Sequence, residues 1–344
     1  MPRDGFSDSG RINDFSASTG RSRKTHLERL ISLIPVPYYF GWLIIASVFL
    51  AASCVVLVQF EGSLRHIDAF LIISIIVALE GAAINWAHNR IRSFTDILIN
   101  IVDLPKDAII RSCDGYEAEI FDDRKLIASA FIVIAFVHSS GIDYHAITFN
   151  SNISDIIFNI LYYFAVYIEG AGLYVMIMTA LTVHKIGSLP VQVDAAFSDF
   201  HAIGILYSEF TLYAASVYVI WGFFHMIVPP RFSSLEIILW FLGFAIVLFV
   251  YFILPQYNIH LMMASAKKEK SELFSSRLRA ALDESFEVPS EENAGYLKDM
   301  LAVQNQLSQM HEWPFGSYEI LHLILIVIIP LVVILLELIL GFIK

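Results

Sequence analysis

Charged residues are scarce in this chain. Of its 344 residues only 16% are Asp, Glu, Lys or Arg, whereas soluble domains usually carry roughly 25%. Hydrophobic residues make up 57% of the chain. The net charge of -11 leaves no basic face to neutralise phosphates, so a general nucleic-acid binder is excluded.

Cysteine and the motifs of soluble enzymes are nearly absent. Cys54 lies in an apolar run and Cys113 in a polar segment, so neither a disulfide framework nor a zinc pattern is expected. Glycine-rich phosphate loops, His-Glu-x-x-His and Gly-x-Ser-x-Gly are missing. His138, Asp143 and His145 cluster at the end of one apolar run, which is a weak pattern for a metal site. We therefore expect no enzyme, no cofactor and no bound metal.

Long, unbroken apolar runs are what the chain has in abundance. About 20 apolar residues in an α-helix cross a bilayer core about 30 Å thick, and lipid requires each segment to satisfy its own backbone hydrogen bonds. The sequence therefore predicts an all-α fold, a polytopic bundle of about seven transmembrane helices. The predicted spans are 38–60, 67–86, 126–142, 156–183, 203–228, 235–254 and 320–342.

The distribution of Lys and Arg predicts the orientation of the bundle. Nineteen of the 22 basic residues lie in the N-terminal tail and in the connections on its side, and Arg65, Arg231 and Lys344 lie on the other side. Basic residues concentrate in cytoplasmic loops. We therefore expect a cytoplasmic N-terminus and an external C-terminus.

The polar stretches divide the chain into four parts. Residues 1–37 are predicted to be a disordered, basic cytoplasmic tail, and residues 38–254 a six-span bundle. Within the bundle, the segment 87–124 has apolar residues at helical spacing, which fits either a helix on the inner leaflet or one packed on the bundle. Residues 255–316 are predicted to be a cytoplasmic helical hairpin, and residues 317–344 the last transmembrane helix.

The second arm of this hairpin carries an apolar seam of the coiled-coil type. Its residues alternate at spacings of four and three: Tyr296, Met300, Val303, Leu307 and Met310. The seam favours a self-packed stalk, and the alternative is a contact with a neighbouring subunit or with a cytoplasmic protein through residues 256–312.

Acidic residues inside the apolar runs are the main candidates for function. A charge in lipid costs at least about 2.5 kcal/mol unless it is paired, solvated or neutralised. Glu209 and Glu337 lie near the ends of their spans. Glu80 and Glu169 lie deeper, each is followed by small residues, and each stands at a similar distance from the start of its span. We predict that these two carboxyl groups lie at similar depth and line an ion or proton path. The alternative is that they are buried acids hydrogen-bonded to neighbouring Tyr or Ser, for which the fourth span offers Tyr162, Tyr163, Tyr167 and Tyr174.

The C-terminal third contains a distinctive set of residues: Pro255, Ile259, His260, Met262, Lys267 and Trp313-Pro314-Phe315. Between the fourth and fifth predicted spans, Leu189-Pro190 and Asp199 precede Ala202-Ile203-Gly204. The first set, and more loosely the second, gives the chain a resemblance to a widespread group of prokaryotic multi-span membrane proteins to which no activity is assigned. This resemblance implies the plasma (inner) membrane of a prokaryote, and it carries over no catalytic or binding residue. Independently, Trp313, Pro314 and Phe315 are expected to anchor the first turn of the last span at the membrane interface.

Two functions compete on this evidence. The deep acids favour an oligomeric channel or transporter for ions or protons, embedded in a lipid bilayer. The hairpin seam favours a membrane-anchored sensor or scaffold that acts through a cytoplasmic partner. A membrane enzyme comes third, since the sequence offers no nucleophile or metal centre for it.

Overall fold

A computed structural model shows that the chain is built from helices. It describes residues 24–64, 66–139, 149–190, 197–227, 234–287, 291–309, 313–314, 316, 320–321, 324–325 and 328. Within these residues there is no strand. The helices are α1 (His26–Ile31), α2 (Tyr38–Val56), α3 (Ile67–Ile101), α4 (Lys106–Ile120), α5 (Asp123–Ser139), α6 (Asn152–Ile186), α7 (Phe197–Ile227), α8 (Ser234–Glu287) and α9 (Glu291–Gln309). A π-helical turn, Leu57–Glu61, continues α2.

Four helices in the described part of the chain are long and apolar enough to cross a membrane. They are Tyr38–Glu61, Ile67–Ile101, Asn152–Ile186 and Ala202–His225. They coincide with the first, second, fourth and fifth predicted spans. This helical, apolar architecture is that of a membrane protein.

The three other predicted spans stay predictions. The third, 126–142, falls on α5, which has 17 residues and is not among these four. The sixth, 235–254, forms the first part of α8. The seventh, 320–342, lies almost entirely outside the described residues. The predicted orientation is likewise untested.

The contacts of the chain group into two compact units. Unit 1 comprises Met1–Asp96, Leu104–Thr179 and Val217–Ser233, and unit 2 comprises Ile97–Asp103, Ala180–Ser216 and Ser234–Lys344. Unit 1 therefore holds α1, α2, α4, α5 and most of α3 and α6, whereas unit 2 holds α8 and α9.

Helix α1 begins within the segment predicted to be a tail. Thr25 and Glu28 form a capping box, in which each side chain accepts from the backbone N–H of the other residue. Leu27 and Ile31 are buried. A Cβ on Gly41 would lie 2.6 Å from Ile31 Cγ2, so α1 packs closely on the start of α2. Residues 1–23 lie outside the described residues.

The amphipathic segment 87–124 packs its apolar face within the protein. Ile91, Phe94 and Leu98 at the end of α3 are buried, and so are Ile109 and Ile120 of α4. Burial of this face favours packing on the bundle over attachment to the leaflet.

The hairpin forms as two packed helices, and its first arm continues the sixth predicted span without a break. α8 runs through Pro255 to Glu287, and α9 packs on it. Only part of the apolar seam is buried: Met300 and Leu307 are buried, while Tyr296 and Val303 are exposed. Met310 lies outside the described residues.

Candidate functional site

Both deep acids are followed by a glycine that contacts a neighbouring helix. A Cβ on Gly81 would lie 2.2 Å from the Trp42 ring, and the Tyr38 hydroxyl donates to the Gly81 carbonyl at 2.9 Å. In α6, the Ser129 hydroxyl donates to the Gly170 carbonyl at 2.9 Å. Thus α2 approaches α3, and α5 approaches α6, next to each acid. Small residues are what such approaches require.

The close approach at Gly170 leads to a stability prediction with a matched control on the same helix. A Cβ there would lie 2.7 Å from the Ala130 Cα, whereas at Gly172 it would meet no described atom within 4 Å. Gly170→Ala should lower the free energy of unfolding by about 1–3 kcal/mol through overpacking. Gly172→Ala should be neutral or stabilising by up to about 1 kcal/mol. Unfolding by SDS in mixed micelles measures both. Equal destabilisation by the two variants would show that the contact with α5 is not the cause.

Glu80 is held by a tryptophan from α7. Its side chain is only 5% exposed, and its Oε1 accepts a hydrogen bond from Trp221 Nε1 at 3.0 Å. Its Oε2 is buried and has no hydrogen-bond partner among the described residues. A buried carboxyl oxygen without a donor is costly, so this oxygen needs a proton of its own or a ligand.

Glu169 is the neighbouring acid. It is half-buried, and it interacts electrostatically with Glu80 and with Tyr218 of α7. Both predicted acids therefore lie in unit 1, near enough for their carboxyl groups to interact electrostatically. Two like charges in an apolar interior repel each other, which disfavours the doubly ionised form of the pair.

The tyrosines considered as partners of these acids make other contacts. Tyr167 lies 2.7 Å from His26 Nε2, Tyr174 donates to the Glu119 carbonyl, and the Tyr163 hydroxyl lies 3.0 Å from His138 Nδ1. Tyr162 packs against Trp221 and Phe224. Sequence reasoning missed Trp221 as the donor. The signal was available, because a tryptophan inside span 203–228 rather than at its end needs an acceptor for its N–H.

No family model matches this sequence. No curated protein and no solved structure matches it either. Its resemblance to the group of prokaryotic membrane proteins therefore stays an expectation.

Several residues that carry that resemblance lie together in unit 2. The His260 ring stacks on Trp313 with centroids 4.1 Å apart, and Pro314 is buried. Lys267 donates to the Ser308 carbonyl at 3.2 Å. Trp313, predicted as an interface anchor, thus contacts α8, while Phe315 lies outside the described residues.

The remaining acidic and metal candidates are placed only in part. The described residues contain no group of three or more His, Cys, Asp or Glu that could hold a metal ion. Asp143, His145 and Glu337 lie outside those residues. Glu209 is half-buried in α7.

A second cluster of ionisable groups joins α1 to α3 and α4. His88 Nδ1 lies 2.9 Å from Glu28 Oε1, and His88 Nε2 lies 2.8 Å from Glu117 Oε1. Carboxylates only accept hydrogen bonds, so a ring between two of them donates from both nitrogens and carries a charge. Phe121 stacks on the ring at 4.2 Å, and Arg92 also donates to Glu117.

A smaller cluster of ionisable groups connects α1 to α5. The His26 backbone N–H donates to Asp123 at 2.6 Å, and its ring Nδ1 lies 2.9 Å from the same carboxylate. Arg29 pairs with the other oxygen of Asp123. Sequence reasoning missed both clusters, although Thr25 and Glu28 at capping-box spacing marked the start of a helix.

The buried cluster shifts the titration of its carboxyl groups. Burial raises the pKa of Glu28, but the hydrogen bonds and charge of His88, with donors from Thr25 and Asn85, outweigh burial and lower the pKa to about 2. Burial likewise opposes ionisation of Glu117, and the donors His88 and Arg92 hold its pKa below the usual range.

These shifts predict that the protein loses stability in acid. Glu28 stays ionised in the folded protein below its ordinary pKa of 4.5, whereas the unfolded chain binds protons there. Stability contributed by Glu28 and Glu117 is thus present above that pH and is lost as pH falls towards 2. Unfolding measured from pH 7 to pH 3 should show a steeper acid loss for wild type than for Glu28→Gln. Identical slopes would contradict this assignment.

Proposed function

We propose that this chain carries protons across a membrane and that Glu80 and Glu169 take up and release the proton. The observation that supports it is the Oε2 atom of Glu80, a buried acceptor with no described hydrogen-bond partner beside a second carboxyl group. A proton on this pair removes one of two costly negative charges.

A proton fits this pair better than a metal cation does. One oxygen of Glu80 already accepts from the Trp221 indole, which cannot act as a ligand. Hard cations take about six or more oxygen ligands, and the described residues contain no group of three or more His, Cys, Asp or Glu that could hold such an ion. The pair can therefore bind a proton at one carboxyl oxygen, whereas it provides too few ligands for a metal ion.

Proton flux into vesicles tests this function. Purified protein in liposomes with an internal pH-sensitive dye is driven by a potassium diffusion potential, and empty liposomes provide the baseline. We expect proton flux above that baseline. A sodium or potassium gradient that sets up no membrane potential should not produce this proton flux. Absence of flux at every pH and potential would contradict the proposal. The homo-oligomer and the prokaryotic plasma membrane expected from the sequence stay predictions beside it.

A second candidate is a sensor or scaffold that acts through the hairpin. The exposure of Tyr296, Leu301 and Val303 on α9 favours it. Serine at all three positions should abolish co-purification of a cytoplasmic partner and leave proton flux unchanged. An unaltered set of co-purifying proteins would count against this candidate.

A further inference from the structure

A proline in the middle of α8 leaves one backbone carbonyl without its helical donor. Pro255 lies inside the helix, and because it has no N–H, the carbonyl of Tyr251 four residues earlier loses its usual partner. The hydroxyl of Tyr207 on α7 donates to that carbonyl instead, at 2.8 Å. Tyr207 is completely buried. This bond therefore replaces, from a neighbouring helix, the bond that the proline removes.

A second acceptor stands beside the proline without a donor. Gln256 is completely buried, and its side-chain nitrogen donates to the Phe252 carbonyl at 3.1 Å. Its Oε1 has no hydrogen-bond partner among the described residues. An orphan amide oxygen at this depth is unfavourable in one fixed conformation. If α8 bends, Gln256 Oε1 can accept a hydrogen bond from the Tyr207 hydroxyl in place of the Tyr251 carbonyl.

Beyond the proline, α8 is tied to the rest of the hairpin. Lys267 donates to the Ser308 carbonyl at the end of α9, and His260 stacks on Trp313. Residues 256–287 of α8 and the helix α9 together form the stalk. These contacts connect the part of α8 beyond the proline to the end of α9 and to Trp313.

One contact fixes the helix just after the proline. The Asn258 amide donates to the His184 carbonyl in the last turn of α6 at 3.0 Å. A Cβ on Gly187 would lie 2.5 Å from Asn258 Cβ, so the two helices touch there. The contact holds the turn of α8 that follows Pro255 against the end of α6.

We propose that Pro255, Tyr207 and Gln256 form a hinge in α8 through which displacement of the stalk is transmitted to α7. In the form that the structure shows, the Tyr207 hydroxyl donates to the Tyr251 carbonyl. In the bent form, it passes to Gln256 Oε1. The hinge does not depend on proton transport, and it would serve a transporter or a sensor alike.

Combining substitutions of Pro255 and Tyr207 tests whether the Tyr207 hydrogen bond matters because of the proline. Pro255→Ala restores the backbone N–H, so the Tyr251 carbonyl no longer needs Tyr207. Spin labels at Leu212→Cys on α7 and Leu301→Cys on α9, both exposed positions, report the distance between α7 and the stalk. Cys54→Ser and Cys113→Ser remove the native thiols. Pulsed electron resonance is recorded for wild type, Tyr207→Phe, Pro255→Ala and the double variant.

The hinge predicts that the effect of Tyr207 depends on the proline. Tyr207→Phe should broaden the distance distribution and lower the folding equilibrium constant about threefold, as loss of one interhelical hydrogen bond in a membrane does. Pro255→Ala should narrow the distribution, and in its background Tyr207→Phe should have a smaller effect, because only the hydrogen bond between the Tyr207 and Tyr251 side chains is then lost. Ser216→Ala, which removes an exposed hydroxyl bonded within α7, serves as control and should match wild type.

The opposite results would overturn the hinge. It is wrong if Tyr207→Phe leaves the distribution unchanged, or broadens it equally with and without Pro255. If Tyr207→Phe alone does not fold, recovery of folding by added Pro255→Ala supports the hinge, and failure of the double variant to fold contradicts it.

Discussion

Replacing Glu169 by glutamine is expected to lower proton flux about 100-fold, the contribution typical of a positioned proton-transfer group. Glutamine keeps the size and hydrogen-bonding capacity of the side chain but cannot take up or release a proton. Glu80→Gln should have an effect of similar size, since the two carboxyl groups interact and act as a unit. Flux into dye-loaded liposomes at matched protein content measures both.

Glu209→Gln is the matched control for this prediction. Glu209 is an acid in an apolar helix, as Glu169 is, and both are half-buried. Its neutralisation should leave flux within about twofold of wild type, because a residue outside the transfer unit does not change its barrier. Equal loss in Glu209→Gln and Glu169→Gln would point to a general effect of charge in the bundle and would contradict a path through the pair.

Replacing His88 by alanine should produce the largest loss of stability. The side chains of His88 and Glu28 are 4% and 5% exposed, and removal of the histidine leaves Glu28 buried without its main charged partner. Breaking a buried ion pair in this way costs about 3–5 kcal/mol. Unfolding in mixed micelles should show a loss near the lower end of that range, because Asn85 and the Thr25 N–H still donate to Glu28.

His26→Ala is the control for His88→Ala. The side chain of Asp123, the partner of His26, is 31% exposed and keeps Arg29 as a partner. Exposed pairs contribute only about 0–1 kcal/mol. In addition, Glu28→Gln should reduce the cost of His88→Ala, since the buried charge is gone. A loss below about 1 kcal/mol for His88→Ala would show that the buried cluster does not hold α1 in place.

The helices could be predicted wherever apolar residues alone determine them. The runs that became α2, α3, α6 and α7 are long and uninterrupted, and lipid leaves such segments only the helical conformation. The small residues after Glu80 and Glu169 are visible in the sequence, and in the structure Gly81 and Gly170 are the places where neighbouring helices come close.

The interactions that could not be predicted are those in which partners lie far apart in sequence. Trp221 is 141 residues from Glu80, and His88 is 60 residues from Glu28. No local period or spacing connects such pairs. Pro255 shows the same limit: the donor that substitutes for its missing N–H is Tyr207, which lies 44 residues from Tyr251 on another helix.

Infrared difference spectroscopy tests most directly whether the carboxyl pair holds a proton. Wild type should show the carbonyl stretch of a protonated carboxylic acid that appears and disappears as pH is changed. The band should be absent from the Glu80→Gln/Glu169→Gln double variant and present in Glu209→Gln. A wild-type band that persists unchanged in the double variant, or no band that responds to pH, would contradict proton uptake by Glu80 and Glu169.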